Sequence, residues 1–439
     1  MKKKIFLSLV LTLFFVISLT LSLGMFVFGE SKPAGNEILS AAPSITKDDG
    51  SFNEMFLSDL SKWVNDRFFL RQEMITLDNG VTALLGVSGE KKVVVGRDGW
   101  LFFGDTVDGY TGMATLSERE LFSVYKNIEL MNEYCLSSGR DFSFVIAPNK
   151  NSLYGEYMPD YGVKAETTDA EKLMEMLKAA GIKSPDLFKA IGEKDEALYF
   201  KHDSHWNSKG AALGADVINN AFGVKTNFFE GDFSVALRNT GELYGMIYTA
   251  LTDTEIDWRL KDERDFEFTG SGKTPTSITI TTKSDREGKL LAYRDSFGSL
   301  LFPYLAESYG ECHFSRKTAY DLTLESDYVM VELVERNLSY LLKFAPIFPS
   351  PEREFSVPEA SSGKVALSTE DLTAPEGLKA VKGYLPQCDS ASGVYVSTDK
   401  AVYEALLTDK NGFVAYIPES EEPQSAVFFV GEKAVRQDF

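Results

Sequence analysis

A serine hydroxyl becomes a useful nucleophile only when an imidazole can take its proton and a carboxylate holds that imidazole in the right tautomer. The chain has three histidines, and two of them fall in one short run, His202-Asp203-Ser204-His205-Trp206-Asn207. Asp203 and His205 are two positions apart, which puts both on one side of an extended strand end or turn, facing a serine brought from elsewhere. Ser296, in Tyr293-Arg294-Asp295-Ser296-Phe297-Gly298, has the right setting. It stands between a strand-like segment and a helical one, where free backbone N–H groups and the helix dipole can stabilise an oxyanion. Gly298 permits a tight turn there, and Asp295 reads as a structural clamp rather than a second catalytic acid. The expected roles are Ser296 as nucleophile, His205 as base and Asp203 as its orienting partner.

Two other readings of the cluster stay open on residue chemistry alone. His202, Asp203 and His205 are three potential metal ligands, and the same run would also serve as a polar turn with Asn207 capping the next helix. Neither a C-x-x-C nor a His/Cys zinc spacing occurs, so no metal or other cofactor is assigned. Pro148-Asn149-Lys150-Asn151 follows a strand-like run, so Asn149 and Asn151 should sit on the same rim. An asparagine there either adds a donor to the oxyanion hole or makes a plain Asx turn. Arg294, beside the serine, is a further candidate for substrate contact. Glu332, Glu335 and Arg336 close another strand and read as an ion-pair network that positions loops. Trp100-Leu101-Phe102-Phe103 reads as core.

The elements that must position these residues alternate between helices and short apolar strands. Apolar residues at helical spacing predict an amphipathic helix or two over 52–76, and Arg97-Asp98-Gly99 marks a hairpin-like turn within 92–103. A capping box at Ser117-Glu118-Arg119-Glu120 opens a long helix that Gly139 closes. Strands are expected at 141–147, 197–200, 277–282, 290–293 and 327–333, with helices at 170–180, 207–220, 299–309 and 338–344. This order predicts an α/β sandwich on a mostly parallel sheet over residues 51–350. Asp203 and His205, like Ser296, then directly follow strands, in a crevice beyond the strand ends. Residues 351–439 form a small C-terminal β-rich module, with strands at 364–368, 393–397, 412–417 and 425–430, that caps the main domain or binds glycan.

Composition narrows the partners. With 65 acidic and 45 basic residues the formal net charge is −20, which argues against a nucleic-acid groove. An acidic glycan would need a local basic patch. Lys2, Lys3 and Lys4 precede an uncharged run from Ile5 to Phe28, about 36 Å as a helix and long enough to cross a bilayer. Residues 1–29 are therefore a signal peptide or an N-terminal transmembrane anchor. No A-x-A-like cleavage site is present, which favours an uncleaved anchor, with the protein facing outside the cytoplasm. Residues 30–50, rich in Ser, Pro, Ala, Gly and Asp, read as a linker. Cys135, Cys312 and Cys388 are too few and too widely spaced for a disulfide scaffold and are expected to be buried.

Taken in order and spacing, Gly96-Arg97-Asp98-Gly99-Trp100-Leu101-Phe102, Pro148-Asn149-Lys150, Asp203-Ser204-His205-Trp206 and Asp295-Ser296-Phe297-Gly298 resemble the DHHW family and the AlgX/AlgJ-type alginate O-acetyltransferases. The resemblance spans roughly residues 52–346. It implies an SGNH hydrolase-like three-layer sandwich whose Asp-x-His element precedes the nucleophilic serine, with Ser296, His205 and Asp203 as the triad. It further implies an exported enzyme that transfers acetyl groups to a cell-surface or secreted polysaccharide, or removes them. A membrane-bound O-acyltransferase is the implied partner. Ser204 departs from the second residue of the DHHW signature, at a position outside the triad. The alternative is a non-catalytic envelope protein of the same fold that binds glycan or the acyltransferase.

Overall fold

Strict alternation of side chains sorts the central strands onto two cores. In the computed structural model, which describes residues 2–33, 38–261, 264–368, 372–386, 388 and 392–439, six strands form the main sheet. They are β1 (Asp141–Ala147), β2 (Glu267–Phe268), β3 (Thr279–Lys283), β4 (Lys289–Tyr293), β5 (Glu311–Ser315) and β6 (Tyr328–Val334). Their order is β1-β6-β4-β5-β3-β2, with β1, β6, β4 and β5 parallel, and the pairings β5-β3 and β3-β2 at one edge antiparallel. Phe142, Phe144, Ile146, Leu291, Tyr293, Val329, Val331 and Leu333 point to one face, and Val145, Ala147, Leu290, Ala292, Met330 and Val334 to the other. Burial on both faces is why these strands read as near-continuous apolar runs.

The first face is covered by helices Glu118–Ser137 and Asp169–Ala179, and the second by Ser208–Ala221 and Gly298–Ala306. Three layers result. Capping boxes at Ser117/Glu120 and Thr168/Glu171 open the first two helices, and Asn207 caps the third by accepting from Gly210 N–H at 2.9 Å. The predicted 338–344 helix shrinks to the single turn Tyr340–Lys343. The hairpin at Arg97-Asp98-Gly99 forms as expected, with Asp98 and Gly99 both at positive φ. Trp100 is core, stacked on Tyr157 at 4.6 Å. All three cysteines are buried thiols outside any disulfide.

An element without a counterpart in the sequence reading is the antiparallel hairpin Phe233–Asn239 with Thr254–Leu260. Its connecting segment carries the short helix Glu242–Ile247. This insertion braces the site described below.

The C-terminal residues build an eight-stranded sheet of their own, from Ser361–Lys364 at one edge to Ala366–Leu367 at the other. Three of the four expected strands are present as Val394–Thr398, Gly412–Pro418 and Pro423–Val430, joined by Leu378–Tyr384, Val402–Thr408 and Lys433–Asp438. The strand expected at 364–368 is split between the two edges because its halves pair with different partners. One face of this sheet holds a separate core, while Leu406, Val414 and Tyr416 join the core under the main domain's outer helices. Asn127, fully buried on the Glu118–Ser137 helix, closes the joint. Its Nδ2 donates to Leu341 O at 3.0 Å and Leu407 O at 2.8 Å, and its Oδ1 accepts from Leu407 N–H at 2.8 Å. Buried Glu404 adds ion pairs to Lys126 at 2.8 Å and Arg353 at 2.7 Å.

At the N-terminus, Lys2–Phe28 is one helix, and its Lys4–Phe28 stretch is long and apolar enough to cross a membrane. Residues 34–37 of the expected linker lie outside the described residues. The helix or two expected over 52–76 are two, Phe56–Arg67 and Arg71–Leu84, the second running past the expected end.

Asn127→Ala strips partners from three buried backbone groups, each costing about 1–3 kcal/mol when left unpaired. Urea unfolding should show a loss of about 2 kcal/mol or more. An unchanged midpoint would mean the joint is not a stability element.

Candidate active site

Residues 198–207 fold back on themselves instead of joining the sheet. Phe200 N–H donates to His205 O at 3.1 Å and Asn207 N–H to Leu198 O at 2.8 Å, with a bridge between Tyr199 and Trp206. The strand expected at 197–200 is therefore a self-paired loop, because its backbone groups are taken up by 205–207. Two side chains pin this loop. Trp206, fully buried, donates its indole N–H to Phe297 O at 3.1 Å and so ties the histidine loop to the residue after Ser296. Lys150, buried on the rim after β1, donates from Nζ to Phe200 O at 3.0 Å, Lys201 O at 3.1 Å and Asp203 O at 2.6 Å. Burial pushes the Lys150 ammonium down to about 7 against the pull of Asp203 and Glu255.

Ser296 lies in the turn between β4 and the Gly298–Ala306 helix. Asp295 clamps that turn as expected. Its Oδ1 accepts from Phe297 N–H at 2.9 Å, and its Oδ2 accepts from Val334 N–H at 2.9 Å and Asn337 Nδ2 at 2.8 Å. Beneath it, Glu332 on β6 is fully buried and accepts from Asp295 N–H at 3.2 Å. A buried carboxylate costs several kcal/mol unless it is well paired; burial, then the charge of Asp295, pushes the Glu332 carboxyl well above its ordinary range against the pull of Arg294. Glu335 accepts from Asn149 N–H at 3.1 Å and Ser152 Oγ at 2.5 Å, and Arg336 donates to Asn149 Oδ1 at 3.2 Å. Among the described residues these three thus make hydrogen bonds to neutral groups, not the expected ion-pair network. Gly298 is required for a reason other than turning. A Cβ there would lie 2.6 Å from Arg294 Cβ and Cδ.

The two loops bring Ser296, His205 and Asp203 into one chain of hydrogen bonds. His205 Nε2 is 2.8 Å from Ser296 Oγ, and Nδ1 is 2.7 Å from Asp203 Oδ1. The inserted hairpin holds the other carboxylate oxygen: Asp203 Oδ2 pairs with Arg238 at 2.9 Å and accepts from Glu242 N–H at 3.1 Å. Asp203 is 1% exposed. Burial works against its charge, but the hydrogen bond and charge of His205, then Arg238 and the Glu242 N–H, outweigh it and hold the carboxyl well below the usual range. His202 turns away, with Nδ1 2.5 Å from Asp253 and its ring against Tyr244. The two histidines thus take different carboxylates. Among the described residues, Asp203, His205 and Glu242 are the group whose atoms converge closely enough for a metal, and there both His205 ring nitrogens already face partners.

Ser296 opens into a cavity of about 570 Å³ lined by Arg294, Arg316, Lys317, Arg336 and Lys343, against Asp105 and Asp295. None of these five cations stands in an ion pair among the described residues. In a chain of net charge −20, this is a local basic patch. Arg294 is committed inside the protein: its guanidinium donates to Pro275 O at 2.9 Å and Ser299 Oγ at 3.1 Å. Burial and the neighbouring Arg316 push it down to about 10. Asn149 and Asn151 line an adjoining cavity of about 320 Å³ that shares Asp105, Arg336 and Ser339 with the first. Asn151 is spent on the loop before it, donating to Thr106 O at 3.2 Å.

Lys150, Arg238 and the Glu242 N–H escaped the sequence reading. Lys150 stood in the quoted Pro148-Asn149-Lys150 run with no role given to it; nothing local marks the others, which reach the site by tertiary folding.

Gly298→Ala should destabilise by about 1–3 kcal/mol through overpacking against Arg294, read as a lower midpoint in thermal unfolding. Asp203 binds fewer protons folded than unfolded, so its contribution is fully present above an unfolded pKa of about 3.9 and is lost as pH falls. The gap in unfolding free energy between the natural protein and Asp203→Asn should be widest near neutrality and narrow toward pH 3. A gap independent of pH would contradict this.

Residues 93–260 match the family described as SGNH hydrolase-like domain, acetyltransferase AlgX. No curated protein matches the chain by sequence. Among solved structures, Bacillus cereus PatB1 is similar at 18% identity and TM-score 0.44, over 56% of this chain and 96% of that one. The O-acetyltransferase domain of Pseudomonas putida AlgJ is similar at 16% identity and TM-score 0.39, over 57% and 92%. A DHHW family protein from Eubacterium siraeum is similar at 16% identity and TM-score 0.41, over 56% and 94%. The chain is thus similar to an SGNH hydrolase-like acetyltransferase domain over residues 93–260, within an α/β domain that a separate β-rich C-terminal sheet follows.

Proposed function

We propose that the protein is an extracytoplasmic serine-dependent O-acetyltransferase or acetylesterase acting on a cell-surface or secreted polysaccharide. The observation that carries this reading is the hydrogen-bonded sequence Ser296 Oγ, His205 Nε2, His205 Nδ1, Asp203 Oδ1, with both links under 3 Å. In it Ser296 Oγ attacks the acetyl carbonyl of the donor while His205 Nε2 takes the hydroxyl proton. Asp203 stabilises the imidazolium. As the carbonyl re-forms, the donor leaves with the proton from His205, and an acetyl-Ser296 ester remains. A sugar hydroxyl, or water, then loses its proton to His205 and attacks that ester, and Ser296 recovers its hydrogen.

Phe297 N–H is committed to Asp295 Oδ1, so the oxyanion donors in this reading are the Ser296 N–H and side chains on the rim. Asn149 and Arg336, which line the adjoining cavities, are the side-chain candidates. Asn151 and Arg294 are positioning residues, since each is engaged with backbone carbonyls. The unpaired cations of the Ser296 cavity favour a glycan that carries negative charge, supplied locally against the repulsion of the chain's net charge. The apolar N-terminal helix supports a membrane anchor, which would place the enzyme beside a membrane-bound O-acyltransferase as donor.

Turnover of p-nitrophenyl acetate tests the chemistry. Ser296→Ala and His205→Ala should each lose about a thousandfold or more in kcat/KM. Equal turnover by all three proteins would sink the triad and leave a non-catalytic glycan-binding protein of this fold.

A further inference from the structure

Helix Arg71–Leu84 is amphipathic the wrong way round for a soluble domain. Leu70, Met74, Leu77, Val81 and Leu84 recur every three or four residues and so form one apolar stripe. All five are exposed, Leu77 by 69% and Leu84 by 88%. The buried residues of this helix are polar, Gln72 and Asn79. Its polar face docks on the inserted segment: Asn79 Nδ2 donates to Ile247 O at 2.9 Å, Thr249 Oγ1 to Gln72 O at 3.0 Å, and Ala250 N–H to Thr76 Oγ1 at 2.9 Å. The preceding helix Phe56–Arg67 buries none of its residues, and Leu57 is 75% exposed.

The end of the apolar N-terminal helix is fastened to this pair. Phe69 N–H donates to Leu21 O at 3.0 Å and Ser31 N–H to Arg67 O at 3.2 Å. Phe28 packs on Phe69 with ring centroids 5.0 Å apart, and Phe26 on Trp63 at 6.4 Å. The exposed stripe begins at Leu70, the next residue. A helix that leaves its apolar side uncovered, starting where a membrane-length helix ends, has the character of an interfacial segment. Aromatic residues at the junction fit the headgroup level.

We propose that the helix pair Phe56–Leu84 lies on the bilayer surface, with the Leu70–Leu84 stripe in the boundary between headgroups and acyl chains. The polar face of the same helix carries the 247–250 segment. That segment continues the Glu242–Ile247 helix, whose first N–H donates to Asp203. Membrane contact and the support of the site's carboxylate thus share one element. The proposal rests on reading the apolar helix as an uncleaved anchor.

The test uses the full chain in nanodiscs of zwitterionic lipid, with nitroxide labels on Leu77→Cys, Leu84→Cys, Leu13→Cys within the apolar helix, and Leu367→Cys on the C-terminal sheet. The natural cysteines are buried. Collision with oxygen against a water-soluble nickel chelate reports depth. We expect positions 77 and 84 to favour oxygen severalfold more than position 367, as position 13 does. Position 13 in lipid with 77 and 84 as wet as 367 would overturn the proposal. So would 77 and 84 shielded from both reagents, which would mean that a second copy or a protein partner covers the stripe. If position 13 is itself in water, or absent through cleavage, the anchor reading falls first and this proposal with it.

Discussion

The carboxylate of Asp203 is the point on which the site's geometry hangs. One oxygen meets the side chain and backbone N–H of His205, and the other meets Arg238 and the Glu242 N–H. An almost fully buried carboxylate is stable only when such donors replace its lost hydration. Each donor comes from a different part of the insertion or from the histidine loop, so satisfying this one charge fixes where the insertion sits. Lys150 completes the arrangement from behind by gathering three carbonyls of the same loop.

Around this point the molecule divides its charge unevenly. The surface is strongly acidic, yet the walls beside Ser296 are basic. Such a field repels polyanions at long range, where salt screens it within about 8 Å, and attracts anionic groups close to the serine. On the far side of the main domain, the C-terminal sheet is joined through Asn127 and the Glu404 ion pairs, so it behaves as a packed extension of the α/β layers.

Much of this was legible in the residues. Ser296, His205 and Asp203 were identifiable because nucleophilic chemistry needs those three types, and a chain with three histidines leaves few ways to assemble them. β1, β4 and β6 were visible because burial on both faces writes an unbroken apolar run. The supposed strand at 197–200 failed for a physical reason: a short apolar run carries no record of which backbone it will pair with, and here it pairs with itself. Arg238 and Glu242 were invisible because their contribution depends on a hairpin that returns to the site from thirty or more residues away in sequence. The ion-pair network expected at Glu332, Glu335 and Arg336 misjudged burial. A glutamate buried inside the sheet beside the charge of Asp295 is favoured in its neutral form despite the pull of Arg294. Asn149 and Asn151 were expected on the rim beside Ser296 but line the adjoining cavity, where Asn151 is engaged by Thr106 O and Asn149 by Glu335 and Arg336.

Reaction with a fluorophosphonate, followed by peptide mapping, tests the central claim most directly, because only an activated serine is phosphonylated. The predicted result is a single adduct on Ser296, absent from His205→Ala and formed more slowly in Asp203→Asn. No adduct on Ser296, or an equal one in His205→Ala, would contradict the account.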